Sequence, residues 1–319
     1  MFIREPILAQ ASPLLRLLTL IAIIFVSVLI TTVLGILIGI PFFGKEIIAY
    51  LSSQSDLSNP ESIPLLKYLQ IVNQVGVFII PPVLYAFLVN RNIKSYLRLD
   101  KKPFLFSLIA GSVLVLLALP MLHWLAGINE MVRLPQVLSG IEEWFRNVEE
   151  RAQEITELFI NVKTIPAFLV NLLMIAILPA IGEEFLFRGV ILRWFNEWIK
   201  NIHVAVILSA FIFSVLHFQF YGFLPRFMLG IILGYLFVWS GSLWVPIAVH
   251  FINNAIAVCM IFYINRVGHD IALEEIGSTT NNNYILLSTL ITILLAGTIY
   301  FYEKKRRIQK KETSLNDIS

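Results

Sequence analysis

The sequence predicts an all-α, polytopic membrane protein of about eight transmembrane helices. Three observations carry that expectation. Of the 319 residues, 58% are hydrophobic and 14% are charged, whereas soluble domains carry about 25% charged residues. The mean hydropathy is +0.80. The apolar residues also gather into separate runs, most of them near the roughly 20 residues a helix needs to cross a bilayer.

The first run, Leu14–Ile40, exceeds the roughly 7–15 residues of a signal-peptide core, so an uncleaved span is expected. The second covers about Leu69–Val89 and the third about Pro103–Gly127. The fourth starts near Ile165. The fifth is about Ile202–Phe220, the sixth Phe223–Ser240, the seventh Leu243–Ile264 and the eighth Tyr284–Tyr302. The polar stretches Ser52–Ser62 and Gly268–Asn283 read as solvated loops. Segment Val137–Phe159 has a different character. Its apolar residues recur at helical spacing between acids and arginines, which predicts an amphipathic helix at the bilayer interface. The chain therefore divides into three N-terminal spans (1–130), an extramembrane helix (131–163), a four-span core (164–265) and a last span with a basic tail (266–319).

The net charge is +3, and its placement fits membrane topology, with membrane lipid as a partner and no nucleic acid. Arg91, Lys94, Arg98, Lys101 and Lys102 crowd one loop. Lys304, Lys305, Arg306, Arg307, Lys310 and Lys311 follow the last span. Basic segments stay on the cytoplasmic side, so both termini are expected there, in the cell membrane. The acidic loop from Glu130 to Glu157, with seven acids, falls on the opposite side. A lone cysteine, Cys259, excludes an intramolecular disulfide.

Within the fourth span lie Glu183, Glu184 and Arg188. A charge at that depth costs about 2.5–3.5 kcal/mol on insertion scales, so its presence calls for a function. Glu184 and Arg188 are four apart with the acid first, the favoured order for a helical ion pair. Glu183 points about 100° away. Glu184 thus reads as held by Arg188, and Glu183 as free for chemistry. A salt bridge that only orients helices is the plainer alternative. His217 sits near the end of the fifth span. His250 and Asn254, four apart, share a face of the seventh. Pro179 removes the donor to the Ile175 carbonyl and predicts a kink. Gly182 and Gly189 permit close helix approach.

A glutamate, two histidines and an asparagine in a wet pocket suit water activation and oxyanion stabilisation. That assembles a peptide hydrolase with no serine or cysteine nucleophile. A zinc shell of Glu183, His217 and His250 is the alternative, although no H-E-x-x-H occurs. The aspartates, Asp56, Asp100, Asp270 and Asp317, lie outside the spans, against an aspartyl protease. Ser240 and Ser242 lack a nucleophile motif. Helix counting leaves His250 roughly 10 Å shallower than Glu183 and His217, at about 1.5 Å per residue. Tilted helices, or an interfacial Phe187–Lys200, would close that gap.

In order, Glu183-Glu184-x-x-x-Arg188, Phe213-x-x-x-His217 and His250-x-x-x-Asn254 resemble the three motifs of the CAAX prenyl endopeptidase and bacteriocin-processing family, called CPBP or Abi. The resemblance covers about Ile165–Ile264. It implies an intramembrane endopeptidase with a conical catalytic core in the C-terminal half. Its substrate would be a membrane-associated or lipidated protein or peptide, such as a C-terminal CAAX sequence. Glu183 and His217 would activate water, His250 and Asn254 would form the oxyanion site, and Glu184 and Arg188 would support them. No cofactor is needed on this reading, and Zn2+ on the metal one. Two other functions stay open: a non-proteolytic scaffold or bacteriocin self-immunity protein of the same family, and a proton-coupled transporter.

Overall fold

Proline and glycine decide where the helices of this chain bend. The computed structural model describes residues 5–52, 60–267 and 281–316. Most of the two polar loops expected at 52–62 and 268–283 lies outside them, as do Asp56, Asp270 and Asp317. Among the described residues, all regular structure is helical.

Helix α1 (Pro13–Leu51) starts at Ser12, whose hydroxyl accepts from the Leu15 amide at 3.3 Å, with Pro13 in the first helical position. It overruns the expected end at Ile40. Pro41 and the non-helical Gly44 (φ 44°, ψ −112°) break it there. Its outer face is bare, with Phe25 72% and Phe42 78% exposed, which suits contact with hydrocarbon. Helices α2 (Ile63–Gln74) and α3 (Ile80–Asn90) make one span, joined by a π-helical turn at Val75–Ile79. The short α4 (Ile93–Tyr96) lies in the basic loop. Helices α5 (Leu105–Leu117) and α6 (Leu119–Glu130) meet at 44°, where Pro120 interrupts the hydrogen-bond ladder. Helix α7 (Ser139–Ile160) covers the amphipathic segment.

Helices α8 (Ile165–Asn171), α9 (Leu178–Glu184) and α10 (Leu192–Ile199) form one 35-residue span. Two π turns, Leu172–Ile177 and Phe185–Ile191, separate them. The core closes with α11 (Ile202–Val215), α12 (Phe223–Ser240), α13 (Trp244–Val267) and α14 (Asn282–Asn316). On α14, buried Glu303 accepts from Ser107 Oγ of α5 at 2.5 Å.

Every expected apolar segment is helical, but not every one is long enough to cross alone. Among the described residues six spans have the length, and the α5–α6 pair makes a seventh. Helix α11 stops at Val215 instead of Phe220. Phe218 takes a left-handed φ of 52°, which an α-helix cannot carry. The expected kink at Pro179 takes the form of the π turn just before it, and the same pairing recurs before Pro81. A wider turn relieves the clash between a proline ring and the preceding turn's carbonyl.

Helices α11 and α12 approach closely at Gly230, where a Cβ would lie 2.9 Å from Ala210 Cβ and 3.1 Å from its Cα. Gly230→Val is expected to cost about 1–3 kcal/mol through overpacking against backbone. The measurement is the thermal midpoint in detergent. Gly297→Val, with nothing within 4 Å of its Cβ, is the control and should change it little.

Candidate active site

A π turn puts one extra residue in a helical ring and leaves carbonyls out of register with their usual donors. In the turn Leu172–Ile177 the Ile175 carbonyl receives its donor from another helix: Asn254 Nδ2 of α13, at 3.1 Å. Asn254 Oδ1 accepts from Asn253 Nδ2 at 3.0 Å. Both ends of the Asn254 amide are therefore engaged, and they tie α13 to the turn that precedes the glutamates. Gly182, one residue before them, lets α9 press on Phe78, since a Cβ there would meet Phe78 Cβ at 2.7 Å.

The charged groups form a buried chain. Arg188 Nη1 donates to Glu184 Oε1 at 2.6 Å, and Arg188 Nη2 donates to the Gly230 carbonyl at 3.0 Å. His250 Nδ1 lies 2.8 Å from the same Glu184 oxygen. A carboxylate only accepts, so Nδ1 carries the proton and Nε2 is left to face Glu183 Oε2, 3.9 Å away. Glu183, Glu184, Arg188 and His250 are 6%, 0%, 1% and 3% exposed. The pairing of Glu184 with Arg188 is the one the sequence pattern predicts, and His250 joins it.

The depth gap that helix counting suggested is absent, because the two reference turns are not level. Gly189, not Lys200, lies beside the α12–α13 turn, its Cβ position 3.7 Å from Leu243 Cδ2. Residues beyond Gly189 run on past that turn, for about 15 Å at 1.5 Å per residue. This extension carries Arg193, Asn196 and Glu197.

His217 lies just beyond α11, with Nδ1 on the Phe213 carbonyl at 2.7 Å. That bond makes Nε2 its free acceptor. No hydrogen bond or ion pair joins His217 to Glu183. The buried Phe213 ring lies between the two histidines, with centroids 4.9 Å from His217 and 6.2 Å from His250, and the Arg188 guanidinium is 4.9 Å over it. Among the described residues, no three His, Cys, Asp or Glu side chains are grouped to hold a metal ion. The donors of the zinc alternative, Glu183, His217 and His250, are thus not gathered into a shell.

One residue escaped sequence reasoning. Arg226, in the first turns of α12, donates to Gln219 Oε1, while its Nη1 is buried without a hydrogen-bond partner. The signal was present: an arginine inside a predicted span. Glu184 Oε2 is the other unpartnered buried atom here.

Helix α7 covers the loop that carries His217. Glu149 Oε2 accepts from the Tyr221 amide at 2.9 Å, and Phe145 stacks on Phe220 at 5.5 Å. Glu142 accepts from the Leu134 amide at 2.9 Å and from Tyr221 Oη at 3.1 Å, beside Arg146 at 3.4 Å. At its far end, α7 is held by Lys67 Nζ and Asn171 Nδ2 on the Phe159 carbonyl, at 2.9 and 2.6 Å. Glu142 is held below the usual carboxylate range, first by the Leu134 amide. A depressed carboxylate contributes stability above its unfolded pKa and loses it as pH falls through the folded one. Exchange protection of the Leu134 amide, which donates to Glu142, corrected for intrinsic rates, should therefore hold from pH 7 to about 4.5 and fall below that. Loss of protection between pH 7 and 5 would contradict this account.

Residues 165–256 match the family described as Rce1-like, type II CAAX prenyl endopeptidase. The chain is 27% identical over 141 residues to the uncharacterized protein YpbD of Bacillus subtilis (strain 168), covering 42% of this chain and 68% of that one. It is 36% identical over 95 residues to the sporulation-killing factor biosynthesis protein SkfC of the same organism, covering 28% and 19%. It is 31% identical over 100 residues to an uncharacterized 24.3 kDa protein of Escherichia coli, covering 30% and 46%. The chain thus spans less than half the length of the last two relatives. No solved structure matches. Glu183, Glu184, Arg188, His217, His250 and Asn254 all fall inside the matched residues, and it is over that region that the chain is similar to the Rce1-like, CPBP (Abi) membrane proteins.

Proposed function

We propose that this chain is an intramembrane endopeptidase that hydrolyses peptide bonds of membrane-associated substrates with a glutamate-activated water. The observation that carries this reading is the buried chain Arg188–Glu184–His250, which aims an imidazole nitrogen at the carboxylate of Glu183. Across 3.9 Å, Glu183 Oε2 and His250 Nε2 are close enough to share one water at hydrogen-bonding distance from each. Glu183 takes a proton from that water as its oxygen adds to the peptide carbonyl carbon. The carbon–nitrogen bond then breaks, and the proton passes to the leaving amine. His217, with Nε2 free, serves as a second proton acceptor at the edge of the site. The unpartnered Arg226 Nη1 supplies a charged donor to the oxyanion. Asn254 acts as a positioning residue through Ile175. No step is routed through a metal. The substrate class is a lipidated C-terminal peptide of the CAAX type, which the matched family's description supports, and the termini are cytoplasmic.

The test is incubation of the purified protein, in nanodiscs, with a prenylated C-terminal peptide and its unmodified counterpart. A new carboxyl terminus seen by mass, formed from the prenylated peptide and retained after exhaustive chelation, is the expected result. Loss of activity on chelation, restored by zinc, would overturn the metal-free step. Absence of any cleavage, together with unchanged membrane-protein termini in cells lacking the gene, would overturn the endopeptidase. A non-proteolytic scaffold is then the reading left, favoured by the way Asn254 and the ion-pair chain already join α9, α12 and α13.

A further inference from the structure

The two basic segments of the chain meet at one end of the bundle. The loop before α5, the end of α10, the α12–α13 turn and the distal part of α14 enclose a cavity of about 870 Å³. Seven of its lining residues are cationic and only two, Asp100 and Glu197, are acidic. Pairing does not cancel this excess. Asp100 is taken by Lys101 at 3.1 Å, and Glu197 by Arg16, which is not a lining residue, at 2.7 Å. Arg306 pairs with Glu303 at 3.0 Å. Arg193 and Arg307 reach only neutral carbonyls, those of Tyr96 and of Val238 and Trp239. The side chains of Arg98, Lys102 and Lys310 have no partner among the described residues. Five positive charges therefore face the cavity without a counter-ion from the chain.

Two further features say what kind of anion belongs there. The cavity is not purely polar: Leu192, Ile202, Phe237 and Val238 form part of its wall. Aromatic side chains also belong to the segments that supply its lining, next to the lining residues in the chain. Trp239 packs on Tyr235 and Tyr300 at 5.3 and 5.7 Å, Tyr302 on Phe104 at 5.3 Å, and Trp244 Nε1 donates to the Leu99 carbonyl at 3.0 Å. Tryptophan and tyrosine collect at headgroup depth, where an apolar ring and a polar edge are both satisfied. Basic pockets between helices at that depth suit phosphorylated headgroups. Arg98 is also held in place: its left-handed backbone, φ 59°, is fixed by the Leu243 amide on its carbonyl at 3.3 Å.

The geometry points to a headgroup site for one anionic phospholipid in this basin, with the phosphate among Arg98, Lys102 and Lys310 and the start of the acyl chains against Phe237 and Leu192. The test is native mass spectrometry of the protein released from nanodiscs of phosphatidylcholine with one quarter phosphatidylglycerol. The wild type should retain one phosphatidylglycerol and no phosphatidylcholine. The triple change Arg98→Gln, Lys102→Gln and Lys310→Gln should lower that retention by roughly a hundredfold, from the contribution of three cations near a membrane surface. An equal-charge control, Lys94→Gln, Lys304→Gln and Lys305→Gln, lies outside the lining and should leave retention unchanged. Equal loss in the control would reduce the effect to bulk attraction and overturn the site. Equal retention of phosphatidylcholine, or undiminished retention in the triple variant, would do the same. A thermal shift by inorganic phosphate as large as that by phosphatidylglycerol vesicles would show a site for the free anion and overturn the lipid assignment.

Discussion

Glu183→Gln is expected to lower peptide cleavage by about 10²–10⁴-fold, the usual contribution of a general base, while the protein stays folded. The two halves of that expectation come from different contacts. Glutamine keeps the shape of glutamate and loses its capacity to take a proton from water. The fold survives because Glu183 is not a member of the ion-pair chain. The imidazole nitrogen that faces it, His250 Nε2, is 3.9 Å away, beyond hydrogen-bonding distance. Arg188, Glu184 and His250 remain joined at 2.6 and 2.8 Å without it. Turnover of a prenylated peptide and the thermal midpoint of the same preparation measure both halves together. Wild-type turnover from the variant would sink the glutamate mechanism. Loss of the midpoint along with activity would instead move Glu183 into the structural network.

Arg188→Met should do the opposite, destabilising the protein by about 3–5 kcal/mol, the cost of leaving one member of a buried pair alone. Arg188 is 1% exposed and the Glu184 side chain 0%. Without the guanidinium, Glu184 keeps only the His250 contact at Oε1, with Oε2 already unpartnered, and the Gly230 carbonyl loses its donor. The double change Glu184→Gln with Arg188→Met removes both charges and should recover most of the loss. The thermal midpoint in detergent, measured for the single and double variants, decides this. A single variant as stable as wild type would mean that the pair is hydrated rather than buried.

How much of this was legible in advance differs from residue to residue. The Glu184–Arg188 pair was, because an acid four residues before an arginine meets it on any regular helix. So were the close contacts at Gly182 and Gly189, where the lack of a Cβ admits Phe78 and Leu97. The premature end of α11 was not. Apolar residues continue to Phe220, and hydropathy carries no information about the left-handed turn at Phe218. Arg226 was overlooked because it stands alone, four residues into a span and outside any spacing pattern.

Two kinds of physics divide what the sequence determined from what the fold decided. Composition, apolar run length, proline chemistry and the pitch of the helix act within a few residues. They were enough to establish an all-helical membrane protein, its eight apolar segments, the buried ion pair and the three ordered motifs. Which side chains meet across helices depends on where each turn sits along its neighbours, and that is set by contacts far apart in the chain. Only the tertiary structure placed His250, rather than His217, opposite Glu183. It did so by letting the α10 end of the fourth span run about 15 Å beyond the α12–α13 turn at the helical rise of 1.5 Å per residue. Only the tertiary structure turned Asn254 onto the Ile175 carbonyl, because a π turn beside a proline leaves an acceptor that another helix can serve.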